Sequence, residues 1–210
     1  MKILMTGFEP FGGETINPAY EAVKRLPDEI KGAKIMKMEI PVVFDKAGDI
    51  VQQALNTEEP DIVICVGQAG GRKGVTPERI AVNLQEARIP DNEGNAPMDH
   101  PVREGGPAAY FTGLQVKAMV ANLKAAGVES SLSYSAGTYV CNDLFYRVMD
   151  HIAQMAAANK KIRGGFIHVP FIPEQTKDKP DVPSLPLQDI VKALTVCIET
   201  ELEKEGERTE

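Results

Sequence analysis

The chain has 210 residues, 43% of them hydrophobic and 25% charged, and carries a net charge of −7. This suits one soluble globular domain spanning residues 1–210, large enough to bury a single core without disulfide or metal staples. The acidic balance argues against a nucleic-acid or acidic-membrane partner, no apolar run approaches the length of a membrane span, and MKILMTG at the N-terminus lacks a secretion signal's long apolar stretch.

Apolar runs alternate with helical patterns along the chain. Residues 2–5 read as a strand, followed by a glycine-bounded turn over 7–13. Asn17 and Pro18 form a helix start, Asn as N-cap and Pro at the first helical position, with the helix continuing to about residue 26. A strand over 34–40, a helix over 45–55, a buried strand over 61–66 and a further strand over 79–84 follow. A long connection rich in Pro and Gly covers 90–107. Helix returns over 114–126 and stops at Gly127, then come a strand over 131–135, a helix over 142–158, a strand over 165–169 and a last helix near 187–203. The basic run at 160–163 is expected to close the helix before it, and the charged tail at about 204–210 to fray. Strand–helix alternation of this kind implies a mostly parallel sheet with helices on both faces. Ligands in such sheets bind at the carboxyl ends of strands, so the candidate loops are 7–13, 67–74, 88–107, 136–141 and 168–173.

Three cysteines, an odd number without a secretion signal, imply free thiols in a reducing compartment. Cys65 lies in the continuous apolar run of a central strand, and Cys197 keeps step with Ile190, Leu194 and Leu202 on the last helix, which gives it a core or interface role. Cys141 is different. It follows a small-residue turn and opens a helix, where unpaired N–H groups and the helix dipole favour thiolate. Among the three histidines, His100 belongs to the long loop, and His151 stands more than two turns past Cys141. His168, near the end of the last strand, shares an edge with Cys141 if the strands are parallel. A Cys–His pair is the minimum for covalent acyl transfer. A third group should orient the imidazole, and spacing leaves Glu78, Asp91 and Asp143 all open. The glycine run 67–74 fits neither the P-loop nor the dinucleotide fingerprint, and neither cysteine nor histidine spacing suggests a metal site.

Five segments carry a resemblance: TGFEPFGG (6–13), GQAGGR (67–72) with PERI (77–80), RIPDNEGN (88–95), SAGTYVCN (135–142) and GGFIHVP (164–170). Together they make the chain similar to the pyroglutamyl peptidase I (pyrrolidone-carboxylate peptidase) family over nearly its whole length. The resemblance implies a cytoplasmic cysteine exopeptidase, without a cofactor, that removes pyroglutamate from the N-terminus of peptides through a thioester. It implies a three-layer αβα sandwich of phosphorylase/hydrolase type and a homotetramer. By motif, Cys141 is the nucleophile, His168 the base and acid, and Glu78 the residue that orients the histidine. Phe8 and Phe11 enclose the lactam ring, Gln68, Ile89, Tyr139 and Val140 surround it, and Arg88 stands beside the thiol.

Two positions depart from the family pattern. Asp143 replaces a histidine often found two residues after the cysteine, which the helical geometry would tolerate if the side chain points away from the thiol. Val42 occupies a position where other members can carry a small polar residue, which leaves its place in the pocket open. Two rival functions share the same crevice: a binding module for a small metabolite, and an amidase of free lactams. An intact Cys141, His168 and Glu78 argues against the first, because binding a lactam needs no nucleophile. Activity on a pyroglutamyl amide but not on free 5-oxoproline excludes the second.

Overall fold

The computed structural model describes residues 1–157 and 161–203. Among these, one six-stranded sheet runs in the order β2–β3–β1–β4–β8–β5. It is built from β1 (Lys2–Phe8), β2 (Glu29–Ile30), β3 (Ala33–Ile40), β4 (Ile62–Gln68), β5 (Thr76–Pro77) and β8 (Arg163–Val169). The four central strands β3, β1, β4 and β8 are parallel, and the short β2 and β5 pair antiparallel at the two edges. A separate antiparallel pair, β6 (Ile80–Val82) with β7 (Ala109–Phe111), lies outside this sheet.

Alternation along each strand sorts side chains into two cores. Ile3, Met5, Ile62, Ile64, Val66, Ile167 and Val169 pack on one face against α1 (Pro18–Val23), α3 (Val116–Ala125) and α5 (Leu187–Leu202). Leu4, Phe8, Val63, Cys65 and Phe166 pack on the other against α2 (Lys46–Glu58) and α4 (Val140–Ala157). Strands covered on both faces explain why β4 reads as an unbroken apolar run. The expected three-layer αβα sandwich with a mostly parallel sheet is the observed architecture, and Cys65 and Cys197 are both fully buried in it.

Local signals behave as their chemistry dictates. Asn17 Oδ1 accepts from Ala19 N at 3.0 Å and Pro18 opens α1. That helix ends at Val23, and the chain to Leu26 continues in tight turns. Three short strands, β2, β5 and β7, carry no clear period and were not expected.

Two expected strands differ. Residues 131–135 form no strand; with Ser130 before them they meet β5 and its flanks only through single bridges, Ser130 with Val75 and Ser133 with Glu78. Serine hydroxyls compete with the ladder here: Ser133 Oγ donates to Ser135 O (3.2 Å), and Ser135 Oγ accepts from Gly137 N (3.2 Å). The strand expected over 79–84 shortens to β6, because the Asn142 side chain takes its backbone groups, accepting from Val82 N (3.0 Å) and donating to Val82 O and Leu84 O (2.9 Å each). The expected helix end at 158, its basic run at Lys160 and the tail 204–210 lie outside the described residues.

Gly7 sets how closely α1 approaches the sheet. A Cβ there would stand 2.6 Å from Tyr20 Cα and 2.7 Å from Tyr20 N, contacts that backbone cannot relieve by a rotamer change. The Gly7→Ala variant should lose at least about 1–3 kcal/mol, the usual cost of overpacking. A lower denaturant midpoint at unchanged m-value checks this; an unshifted midpoint contradicts it.

Candidate active site

The expected strand-end loops converge on one cleft of about 570 Å³, lined among others by Phe11, Gln68, Arg72, Arg88, Ile89, Tyr139, Cys141 and His168. Beneath it a narrow recess is walled by Phe8, Phe11, Asn17, Val42, Gln68, Tyr139, Val140 and Cys141. Cys141 belongs to both. It is the second residue of α4, whose first turn closes onto Tyr139 O through Asn142 N and Asp143 N. The neighbouring N–H groups of such a first turn have no intrahelical acceptor.

The thiol sits over a glycine. In the parallel register of β4 and β8, Gly67 stands opposite His168, and a Cβ on Gly67 would lie 2.9 Å from Cys141 Sγ and 2.8 Å from Phe166 Cζ. Any side chain at position 67 would occupy the space of the sulfur.

His168 is buried, and its Nδ1 lies 2.7 Å from Glu78 Oε1. Glu78 is fully buried in the connection between β5 and β6, anchored by its own N–H to Phe166 O at 2.9 Å. A carboxylate at Nδ1 accepts that proton and leaves Nε2 as the basic nitrogen. Of the three acids that spacing left open, Glu78 takes this position. Asp91 accepts instead from Phe44 N (2.9 Å), Glu93 N (2.9 Å) and Asn95 N (2.8 Å), folding the loop that carries Arg88 and Ile89. Asp143 faces away from the thiol, and it is not idle there. Fully buried, it accepts from Asp45 N (2.9 Å), Gln85 Nε2 (2.7 Å) and Arg147 Nε (3.0 Å), joining the starts of α2 and α4.

Cys141 is half-buried at the cleft, and its surroundings work against the thiolate expected at a helix start. Burial pushes the Cys141 thiol up to about 12, and the Glu78 charge adds to this, while Arg72 opposes it. Desolvation here acts against the helix terminus. Burial also lowers the His168 pKa below its ordinary 6.5, against the raising effect of Glu78. Burial works against the Glu78 carboxylate too, yet the bond and charge of His168, with Ser133 and Arg72, hold its pKa below the usual value. Near neutral pH the resting site is therefore thiol, neutral imidazole and carboxylate.

The aromatic wall is coupled. Tyr139 meets Phe44 edge-on at 5.3 Å and Phe11 at 6.3 Å, and its hydroxyl donates to Pro90 O at 3.0 Å. Phe8 is the last residue of β1 rather than a loop residue, and it is 2% exposed, whereas Ile89 is 48% exposed at the cleft rim. Val42, left open from sequence, lines the recess. Gln68 Oε1 accepts from the buried Gln175 Nε2 (2.9 Å), which leaves the Gln68 amide N–H groups as its donors.

Arg88 is an exposed cleft residue. The arginine bonded to the buried carboxylate is Arg72, whose Nη1 lies 2.6 Å from Glu78 Oε1. Sequence reasoning missed Arg72, Gln175 and Asn17. The only signal for Arg72 was its place in the glycine-rich segment shared with the family.

A model of the pyroglutamyl peptidase family matches residues 1–204. The pyrrolidone-carboxylate peptidase of Lactobacillus johnsonii is 52% identical over 206 residues, 98% of this chain and 94% of that protein. The corresponding protein of Bacillus amyloliquefaciens is 54% identical over 200 residues, covering 95% and 91%. The crystal structure of pyroglutamyl peptidase I from Bacillus amyloliquefaciens superposes with a TM-score of 0.92 at 52% identity, covering 97% of this chain and 96% of that one. A mutant pyrrolidone carboxyl peptidase from P. furiosus superposes with a TM-score of 0.91 at 43% identity, covering 98% and 100%. With its fold, its cleft and its sequence in agreement over nearly all of its length, the chain belongs to the pyroglutamyl peptidase family.

Proposed function

We propose that this protein is a cysteine exopeptidase that hydrolyses the amide bond after an N-terminal pyroglutamyl residue, with residues 1–210 acting as one catalytic domain. The observation that carries this reading is the Glu78–His168 bond of 2.7 Å in the cleft that also holds the Cys141 thiol. His168 Nε2 takes the Cys141 proton as sulfur attacks the pyroglutamyl carbonyl carbon. The resulting oxyanion is held by first-turn N–H groups of α4, with Arg88 in the same cleft. The imidazolium then protonates the leaving amine, the C–N bond breaks, and a thioester remains. A water molecule gives its proton to Nε2 and attacks the thioester carbonyl. Pyroglutamate leaves, and the proton returns to sulfur.

Because the thiol and the imidazole are both neutral at rest, charge separates only as the reaction proceeds. Glu78 is already in position to stabilise the imidazolium as it forms. The ring of pyroglutamate is an uncharged cyclic amide. It suits a recess of apolar and aromatic walls, with Gln68 N–H as a donor to the lactam carbonyl.

The working environment is the cytoplasm, in keeping with unpaired thiols. Among the described residues no helix is long and apolar enough to cross a membrane. The chain works as a homotetramer, so light scattering should return a mass well above the 22.8 kDa of one chain. A monomer with full activity would remove association from the mechanism.

Cys141→Ser should abolish turnover and leave the fold intact. Iodoacetamide should inactivate the enzyme at one label per chain, located on Cys141 by mass spectrometry, while Cys65 and Cys197 stay shielded in the core. Label on either buried thiol alone would refute the nucleophile.

Specificity follows from the neutral recess. A glutaminyl or prolyl substrate brings an ammonium that the recess would bury unpaired, at a cost of several kcal/mol. At about 1.4 kcal/mol per factor of ten, kcat/KM for the pyroglutamyl amide should exceed that of the matched prolyl and glutaminyl amides by on the order of a thousand or more. Comparable rates on all three would end the pyroglutamyl assignment even if Cys141 proved catalytic.

A further inference from the structure

Arg72 lies in the loop after β4 and is half-buried, at the wall between the catalytic cleft and a neighbouring polar groove lined by Lys73, Thr76, Glu129 and Ser133. Its guanidinium makes three bonds. Nη1 donates to Thr76 Oγ1 (2.5 Å) and Glu78 Oε1 (2.6 Å), and Nη2 donates to Ser135 O (3.1 Å). Thr76 is the residue paired with His168 across the β5–β8 edge, and Ser135 starts the turn that delivers Cys141. One side chain thus ties together the strand edge beside the base, the acid, and the turn before the nucleophile.

The acid needs such a tie. Glu78 Oε1 receives both Arg72 Nη1 and His168 Nδ1, whereas Oε2 is buried and no donor among the described residues reaches it at hydrogen-bond geometry. The Ser133 hydroxyl stands near the carboxylate but directs its proton to Ser135 O. Without Arg72, Oε1 would keep only its bond to His168.

We propose that Arg72 is a positioning residue of this catalytic centre, clamping Glu78 Oε1 so that the carboxylate holds His168 in the orientation and tautomer the reaction uses. The proposal rests on the Cys141–His168–Glu78 reading above and adds a fourth member to it. Arg72 touches no reacting atom and acts through Glu78. Its charge has a second consequence. Among the described residues, the ionisable groups at His168 are Glu78 from the β5–β6 connection, Arg72 from the loop after β4, and Cys141 from α4, which lines the same cleft. Of these, Glu78 favours the imidazolium and Arg72 opposes it. Burial is the main reason the imidazole stays neutral, and Arg72 adds to it, so that the base stays able to accept the thiol proton down to lower pH.

The test compares wild type, Arg72→Gln and Arg72→Lys on a pyroglutamyl chromogenic amide across pH, with Cys141→Ser as the inactive reference and thermal unfolding as the check on fold. In wild type the acid limb of kcat/KM should have its midpoint below 6.5, because the base must be neutral and its pKa is lowered. In Arg72→Gln, kcat should fall by roughly a hundredfold, the size expected when a reacting group is misplaced, with KM little changed. Its acid limb should move to higher pH, since the opposing charge is gone and Glu78 keeps its bond to the imidazole. Arg72→Lys should retain the wild-type acid limb and recover part of kcat, because it restores the charge without the fork to Ser135. An acid limb that does not move in Arg72→Gln, or a loss confined to KM, overturns the proposal while leaving the nucleophile assignment standing. Turnover by Cys141→Ser would instead overturn the reading on which the proposal rests.

Discussion

The active site depends on one steric constraint: Cys141 Sγ occupies the space that a side chain at Gly67 would need. The parallel register of β4 and β8 sets Gly67 opposite His168, so the strand that makes room for sulfur lies beside the strand that carries the base. Close packing then acts in two ways. It holds the nucleophile against the central sheet, and it removes part of the water from the half-buried thiol. Interiors packed to crystal-like density give such atoms no room to relax, so position and desolvation come together.

Desolvation decides the electrostatics. His168 and Glu78 are buried and Cys141 is half-buried, and of the three the carboxylate has the hydrogen-bond donors that favour its charged form. The chain Arg72–Glu78–His168 balances one cation against one anion and leaves the imidazole neutral, with its Nε2 lone pair available as the base. Interactions in a site of low polarity are stronger than in water, so a modest displacement of any member would be felt by the others.

The recess owes its shape to a second network, remote from the chemistry. Asp143 bridges the starts of α4 and α2 through Asp45, whose backbone sits at φ 61 and ψ −52 with Lys46 N bonded to Phe44 O at 2.6 Å. This is a strained γ-turn, kept in place because Asp143, Gln85 and Arg147 all bind Asp45. The turn presents Phe44 edge-on to Tyr139, next to the nucleophile. Asp91 fixes the other side by accepting from Phe44 N and from the loop 91–95, while Asn92 reaches across to Glu9 and Pro10 beside Phe11. Acids that could have served the imidazole instead hold the walls of the recess.

Much of this was determined by the sequence itself, because it rests on local rules. The period of apolar residues marked the central strands and main helices, Asn17-Pro18 marked a helix start, and strand–helix alternation implied the layered sheet and the edge where Cys141 and His168 would meet. The family motifs singled out Glu78 among thirty acids, a choice that spacing could not make. Tertiary structure decided what depends on contacts between distant segments. The serine-rich stretch 131–135 and the strand expected over 79–84 yielded to side-chain hydrogen bonds, the latter to Asn142 some sixty positions away. The upward shift of the Cys141 thiol runs against its local expectation for the same reason. A helix terminus is visible in the sequence, but the loss of water around the sulfur is a property of the packed molecule. Arg72 reaches Glu78 six residues on and Ser135 sixty-three residues on, and only the folded chain brings the three together.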